Sequence, residues 1–241
     1  MIIYGRNSVR EALNSETEIS TIYIRQGIRG AENQAVIDLI KKKGIQYKFV
    51  ADEKLDALSN GEHHQGFVAQ VSDFAYSSVD DIINYAQAKG EQLFIVLLDG
   101  IKDVNNLGNI IRSCECAGVH GIVIEKVRAC EVNATAIKVS AGASSHMKIA
   151  RVANIVQVIN RLKKMGVWTY SIELGGQDIY KTNLKGDIAL VIGSEGEGTR
   201  RLVKESCDVV LSLPMRGKVN SLNASNATAI ALYEVLRQRL N

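Results

Sequence analysis

Three short stretches of the chain hold residues whose types and spacing can do chemistry. The first is LDGIKDVNNLGNIIRSCECAG, residues 98–118. An apolar strand pattern closes on Asp99, and a polar loop then delivers Asn105 and Asn106 to the start of a helical pattern. Asparagine is a good helix cap, and that role explains both residues without further chemistry. Arg112 follows six residues after Asn106 on the same predicted helix. A carboxamide at a helix mouth with a guanidinium below it can also grip an anion or hold a hydroxyl.

The second stretch is ALVIGSEGEGTR, residues 189–200, where an apolar strand runs into Gly193, Gly196 and Gly198. Glycines there permit positive φ and close approach of a ligand to the backbone. The spacing is neither the dinucleotide fingerprint G-x-G-x-x-G nor a P-loop. Glu195 amid these glycines would repel phosphates but allows a cationic ligand, such as a sulfonium; a plain glycine-rich turn with a solvated glutamate is the other reading. The third stretch is VVLSLPMRGKVNSLNASNATA, residues 209–229. It holds the sole proline, Pro214, which stops a strand ladder and fixes the chain direction. Ser221 and Asn223 then precede a long helical pattern rich in small residues, and either could serve as its cap.

Strand-like and helix-like patterns alternate around these stretches, which predicts an α/β protein with largely parallel sheets. Upstream, strands are expected over residues 21–25, 46–50 and 67–71, with helices over 9–13, 32–42 and 52–58. This is an amino-terminal domain of residues 1–73. Residues 74–90 read as a linker ending in a short helix, opened by a capping box at Ser78 and Asp81. Residues 91–241 form the second domain. Its strands are expected over 94–98, 121–124, 148–152, 167–172, 188–192 and 209–213. Its helices are expected over 107–117, 132–140, 155–165, 199–205 and 222–240.

Composition excludes several classes. The chain has 241 residues, 46% hydrophobic and 23% charged, as in ordinary globular proteins. No apolar run reaches the roughly 20 residues of a membrane span. The charged start lacks the features of a signal peptide, so a cytoplasmic location is expected. Cys114, Cys116, Cys130 and Cys207 have no zinc or redox spacing, and His63 and His64 stand without further ligands, so no metal is expected. Net charge is only +3, with nine basic and ten acidic residues up to position 73 and 20 and 16 beyond it. That balance does not by itself demand a nucleic-acid partner.

Taken together, NNLGNIIR at 105–112, IGSEGEG at 192–198 and LPMRGKVNSLNAS at 213–225 resemble the three motifs of the SpoU, or TrmH-like, family of RNA ribose 2′-O-methyltransferases. Upstream, YGRNSVREAL at 4–13 and HHQGFVAQV at 63–71 resemble the ribosomal-protein-like RNA-binding domain of the RlmB branch. That branch methylates a guanosine of large-subunit ribosomal RNA.

The resemblance implies a parallel-sheet catalytic domain with a carboxyl-terminal trefoil knot, preceded by a small α/β RNA-binding domain. It further implies S-adenosylmethionine held in the knot cleft by Gly193, Leu213 and Leu222, with Met215 nearby. Arg112 would act at the ribose hydroxyl, with Asn106, Glu195, Ser221 and Asn223 positioning Arg112 and the ribose. Family proposals make the arginine a base. Because guanidinium groups stay protonated in proteins, anchoring the adjacent phosphate and lowering the hydroxyl pKa is physically easier. Ribosomal RNA is the first expected substrate, transfer RNA the second, and a homodimer is implied. Two other readings are a non-catalytic RNA-binding protein of the same fold, which would lack Arg112 or Asn106, and a Rossmann-type oxidoreductase, which would carry the missing fingerprint.

Overall fold

The computed structural model of the chain describes residues 1–15, 19–71, 74–219 and 221–240. Asp73, the end of the expected first domain, and Asn220, inside the third motif, lie outside the described residues. The chain begins with β1 (Ile2–Tyr4), α1 (Arg6–Asn14), β2 (Ile19–Arg25) and α2 (Ala31–Lys42). It continues through β3 (Tyr47–Val50), α3 (Asp52–Ser59), β4 (Phe67–Val71) and α4 (Val79–Lys89). Then come β5 (Phe94–Asp99), α5 (Val104–Cys116), β6 (Gly121–Glu125), α6 (Ala134–Val139), β7 (Ile149–Val152) and α7 (Ile155–Lys164). The last elements are β8 (Trp168–Asp178), β9 (Ile188–Gly193), α8 (Arg201–Ser206), β10 (Val209–Ser212) and α9 (Ala224–Leu240).

Two compact units result: Met1–Ala75 with Val132–His146, and Tyr76–Glu131 with Met147–Asn241. In the first, the sheet order is β1-β4-β2-β3. Only β2 and β3 run parallel; β4 is antiparallel to both β1 and β2. The expectation of largely parallel pairing therefore fails here. The three-residue β1 is too short to leave a periodic signal, yet it completes the sheet beside β4. Amphipathic α1 and α2 bury Val9, Leu13, Ile37 and Ile40 against Ile3, Ile24 and Phe67. The segment holding α6 also belongs to this unit: Ala134 and Ile137 pack on its core, and the Lys138 ammonium sits 4.6 Å from the Tyr4 ring centre.

The second unit is built on six parallel strands in the order β10-β8-β9-β5-β6-β7. Every residue of β5 (FIVLLD), β6 (GIVIE) and β9 (IALVIG) is buried, as a parallel sheet covered on both faces requires. Ile95, Leu97, Val123 and Val191 face one layer, with α4, α7 and α8 supplying Ile82, Ile83, Ile159, Leu162 and Val203. Alternation along the strands turns their other residues to the opposite face, where α5 and α9 pack together. The capping box expected at Ser78 is present: its hydroxyl accepts from Asp81 N at 3.1 Å, and its N–H donates to the Asp81 carboxylate at 2.7 Å. Its helix corrects the linker assignment, because Val79, Ile82, Ile83 and Ala86 belong to the second unit's core.

Among the boundaries that shift, two lie beside the site. β8 continues past the expected end at 172 through Leu174, Gly175 and Gly176. A Cβ at Gly176 would lie 2.5 Å from the Val210 carbonyl oxygen, so the glycine permits the close pass of β10. α9 starts at Ala224 rather than 222. At the amino-terminal ends of β5 and β9, Arg239 from the end of α9 donates to the carbonyls of Gln92 (3.0 Å), Leu93 (3.1 Å) and Gly186 (2.7 Å).

A Cβ on Gly121 would meet three side-chain atoms of Ile82 within 2.8 Å, so β6 and α4 pack at the limit of contact. Gly121→Ala is expected to cost about 1–3 kcal/mol through overpacking. Adding Ile82→Ala should give a combined loss smaller than the sum of the two single losses, measured by denaturant unfolding. Additive losses would refute the contact.

Candidate active site

The site begins where β9 ends. Gly193 pairs in register with Asp99, the last residue of β5. Ser194 N–H donates to Gly198 O at 3.1 Å and Gly198 N–H to Ser194 O at 2.9 Å, which closes a tight loop over Glu195, Gly196 and Glu197. Gly196 and Gly198 have φ of +85° and +67°, the left-handed region that glycine enters without a Cβ clash. Gly193 is constrained differently: a Cβ there would lie 2.1 Å from both Gly198 C and Thr199 N. The loop can fold back on the strand only because that side chain is missing. Glu173, on β8, accepts a short hydrogen bond from Thr199 N–H and fills the space a Gly198 side chain would need.

Past the loop, Arg200 ties it to the sheet. Its backbone N–H donates to Asp99 Oδ2 at 2.7 Å, its Nε to Asp99 Oδ1 at 2.6 Å, and its terminal amine to Glu125 Oε1 at 2.7 Å. Asp99 is 1% exposed and Glu125 6%. Hydrogen bonding of Arg200 to the Asp99 carboxylate, against some desolvation and with help from Glu125, holds the Arg200 guanidinium above its ordinary range.

Glu195 then joins three segments distant in sequence. Its Oε1 accepts from Asn106 Nδ2 at 3.1 Å, from Asn223 Nδ2 in a short contact, and from Ala224 N–H at 3.3 Å. Asn223 Nδ2 also donates to Asn106 Oδ1 at 2.9 Å, so the two carboxamides and the carboxylate form a closed triangle. Asn223 caps α9, its Oδ1 accepting from Ser225 N at 2.9 Å and Asn226 N at 3.3 Å. Asn106 is not a cap. Asp103 holds that position on α5, accepting from Asn106 N at 2.8 Å, which leaves the buried Asn106 side chain for Glu195.

Beside this triangle lies a cleft of about 550 Å³. The structure brings Gly193, Glu195, Leu213, Met215, Ser221, Leu222 and Asn223 together on its wall. Arg112 does not join them; it is absent from the lining, and it projects from an exposed position of α5 while Asn106 is buried. At about 100° per residue, six residues carry it to a different side of the helix, so the expected grip below Asn106 is not made within one chain. Sequence reasoning missed Glu173, Asp99, Glu125 and Arg200. An acid ending each of the apolar strands β5 and β6 was the available signal for two of them. Among the described residues no group of three His, Cys, Asp or Glu is placed to hold a metal ion, and no helix is long and apolar enough to cross a membrane.

A parallel sheet with a glycine loop, a capped helix and a carboxamide triangle at the carboxyl ends of its strands defines an α/β enzyme site at the usual edge for ligands. Residues 93–233 match the model of the SpoU rRNA methylase family, and residues 2–77 match that of the RNA 2′-O ribose methyltransferase substrate-binding domain. The chain belongs to the SpoU family. A Bacillus subtilis protein named "Putative TrmH family tRNA/rRNA methyltransferase YacO" is 41% identical over 239 residues, covering 98% of this chain and 95% of its own. The fold is similar to that of the SpoU methyltransferase AviRb of Streptomyces viridochromogenes in complex with AdoMet, with a TM-score of 0.86, 23% identity, and coverage of 100% and 91% of the two chains. It is also similar to an AdoMet-bound rRNA methyltransferase of Sinorhizobium meliloti, with a TM-score of 0.81, 22% identity, and coverage of 100% and 88%.

Glu195→Ala would strip the acceptor from two carboxamides and one helix N–H. Removing a shared acceptor costs about 1–3 kcal/mol where the donors are buried, as Asn106 and the Ala224 N–H are. Amide hydrogen exchange at the start of α9 is expected to accelerate in this variant, while Glu195→Gln, which keeps an acceptor oxygen, stays closer to the native pattern. Unchanged protection in the alanine variant would show that the triangle does not hold the site.

Proposed function

We propose that the chain transfers a methyl group from S-adenosylmethionine to a ribose 2′-hydroxyl of RNA, acting as a cytoplasmic homodimer. The observation that carries this reading is the Asn106–Glu195–Asn223 triangle set beside a cleft with a bare backbone floor at Gly193. The cleft's volume of about 550 Å³ falls in the range of small-ligand sites. Leu213, Met215 and Leu222 offer apolar surface to a flat base, and the glycine loop exposes main-chain groups to it. When bound, S-adenosylmethionine supplies a methyl already activated by its sulfonium. Carboxylates at Glu173 and Glu197 on the wall suit a cationic sulfur better than a phosphate.

The remaining work is positional. Glu195 holds Asn106 and Asn223 through Oε1, which accepts from three donors. Ser221, on the cleft wall, orients the ribose, while Asn223, its amide already engaged on both sides, fixes the start of α9 beside it. Arg112 neutralises the phosphate beside the target and favours loss of the 2′-hydroxyl proton. Since Arg112 stands apart from its own chain's triangle, a second subunit supplies it. The substrate-binding match and the names of the relatives support RNA as acceptor. Ribosomal RNA is the first candidate, in line with the RlmB-like amino-terminal motifs; transfer RNA is the second.

Incubating the protein with methyl-labelled S-adenosylmethionine and either ribosomal or transfer RNA, then digesting to nucleosides, tests the reaction and the acceptor. Label in 2′-O-methylribose is the expected result; label on a base, or none, would overturn the reading. Arg112→Ala should lower turnover by about 100-fold or more while leaving cofactor affinity unchanged. Calorimetric cofactor binding should be the same with and without a metal chelator, and its loss under chelation would contradict a metal-free site.

A further inference from the structure

The second unit holds another cavity, of about 630 Å³, past the carboxyl ends of β6 and β7 and at the start of α8. Residues 193–198 line the first cleft and residues 200–203 line this one, so a single segment of chain separates them. Arg200 stands in the dividing wall, and its charge is met by Asp99 and Glu125. Two other guanidiniums line the cavity with little to neutralise them. Arg128 is exposed and has no ion pair or hydrogen bond among the described residues. Arg201 is 82% exposed, and its ion-pair partner, Glu205, is 3.7 Å away.

The nearby acids are otherwise engaged. Glu125 faces Arg200 at 2.7 Å, and Glu131 faces Arg151 at 2.9 Å. Lys126, next to the rim, is exposed and adds a further positive charge. Apolar surface accompanies the cations: Val127 is 70% exposed and Leu202 63%. Unneutralised guanidiniums beside exposed apolar side chains fit a chain of phosphates joined by sugars, because a guanidinium takes a phosphate through two parallel hydrogen bonds. A small free anion would have no use for the apolar surface.

We propose that this cavity seats the phosphodiester backbone of the RNA strand flanking the target nucleotide, with Arg128 and Arg201 each on a phosphate. The proposal rests on the reading of the chain as an RNA methyltransferase. It makes the segment from Gly193 to Val203 a two-sided device, with cofactor on one side and substrate strand on the other.

The test uses the full-length protein and a short fluorescein-labelled RNA of mixed sequence, titrated at several salt concentrations. Arg128→Ala and Arg201→Ala should each weaken binding and flatten the plot of log affinity against log salt by about 1. Arg128→Lys should keep the native slope, since it keeps the charge. Lys164→Ala, at the far end of α7 from this cavity, removes the same charge and should leave the slope unchanged. Cofactor affinity and melting temperature should match wild type in all of them. Native RNA affinity and slope in the Arg128→Ala, Arg201→Ala double variant would overturn the proposal. Weakened RNA binding accompanied by lost cofactor binding or a lower melting temperature would overturn it as well, the arginines then being structural. If the wild-type protein itself neither binds nor methylates RNA, the functional reading fails, and the site with it.

Discussion

The two-carboxylate grip on Arg200 is the interaction on which the site depends. Asp99 ends β5 and Glu125 ends β6, and both are buried acids at the edge of an otherwise apolar sheet. Neither would be tolerated there as an ion without a partner, since a buried charge left uncompensated is strongly destabilising. Arg200 meets both with its side chain and meets Asp99 again with its backbone N–H. The chain is thereby anchored two residues beyond Gly198. With β9 held in register at Gly193, the loop between has both ends set, and its tip is confined before any ligand arrives.

That confinement gives Glu195 its role. A solvated glutamate on a mobile turn would sample many positions and spend its hydrogen bonds on water. Here the carboxylate lies at the first turn of α9, where a helix end favours negative charge, and it accepts the Ala224 N–H directly. The same oxygen collects Asn106 from α5 and Asn223 from the α9 cap. Three segments spanning residues 106 to 224 thus meet at one atom. Polar groups so arranged are satisfied as a set, and a set is harder to displace than its separate bonds.

Much of this was legible in the residues. The all-apolar runs of β5 and β9, the capping box at Ser78 and the glycine cluster at 193–198 each report a local requirement, and local requirements survive in sequence. Ser221, Asn223, Leu213 and Met215 were grouped through motif resemblance, and the structure places them on one wall. What was not legible depends on packing between distant segments. Nothing near Asn106 says that its side chain will meet Glu195, and nothing near Glu173 says that it will fill the space left by Gly198. The 74–90 stretch read as a joint ending in a short helix, and only the packing of Val79, Ile82, Ile83 and Ala86 assigns that helix to the second unit's core. The β1 strand and the placement of α6 in the first unit were equally out of reach, since both rest on contacts with residues far along the chain.

The position of Arg112 then bears on how many chains make one site. On α5, Asn106, Ile110 and Cys114 are buried, whereas Asn105, Asn109, Arg112 and Cys116 form an exposed polar stripe at helical spacing. The neighbouring α9 leaves Ile230 and Tyr233 38% and 52% exposed. A helix pair that spends its small residues on close packing yet keeps a large aromatic, an isoleucine and an arginine outward has surface to offer a second chain. Under the reading as a methyltransferase, the chemistry asks for a cation near the triangle, and a single chain keeps its own arginine on another side of α5. Dividing the site between two copies resolves this without moving any element, because each copy would contribute the triangle to one site and the arginine to the other. Such a division would also make activity conditional on assembly.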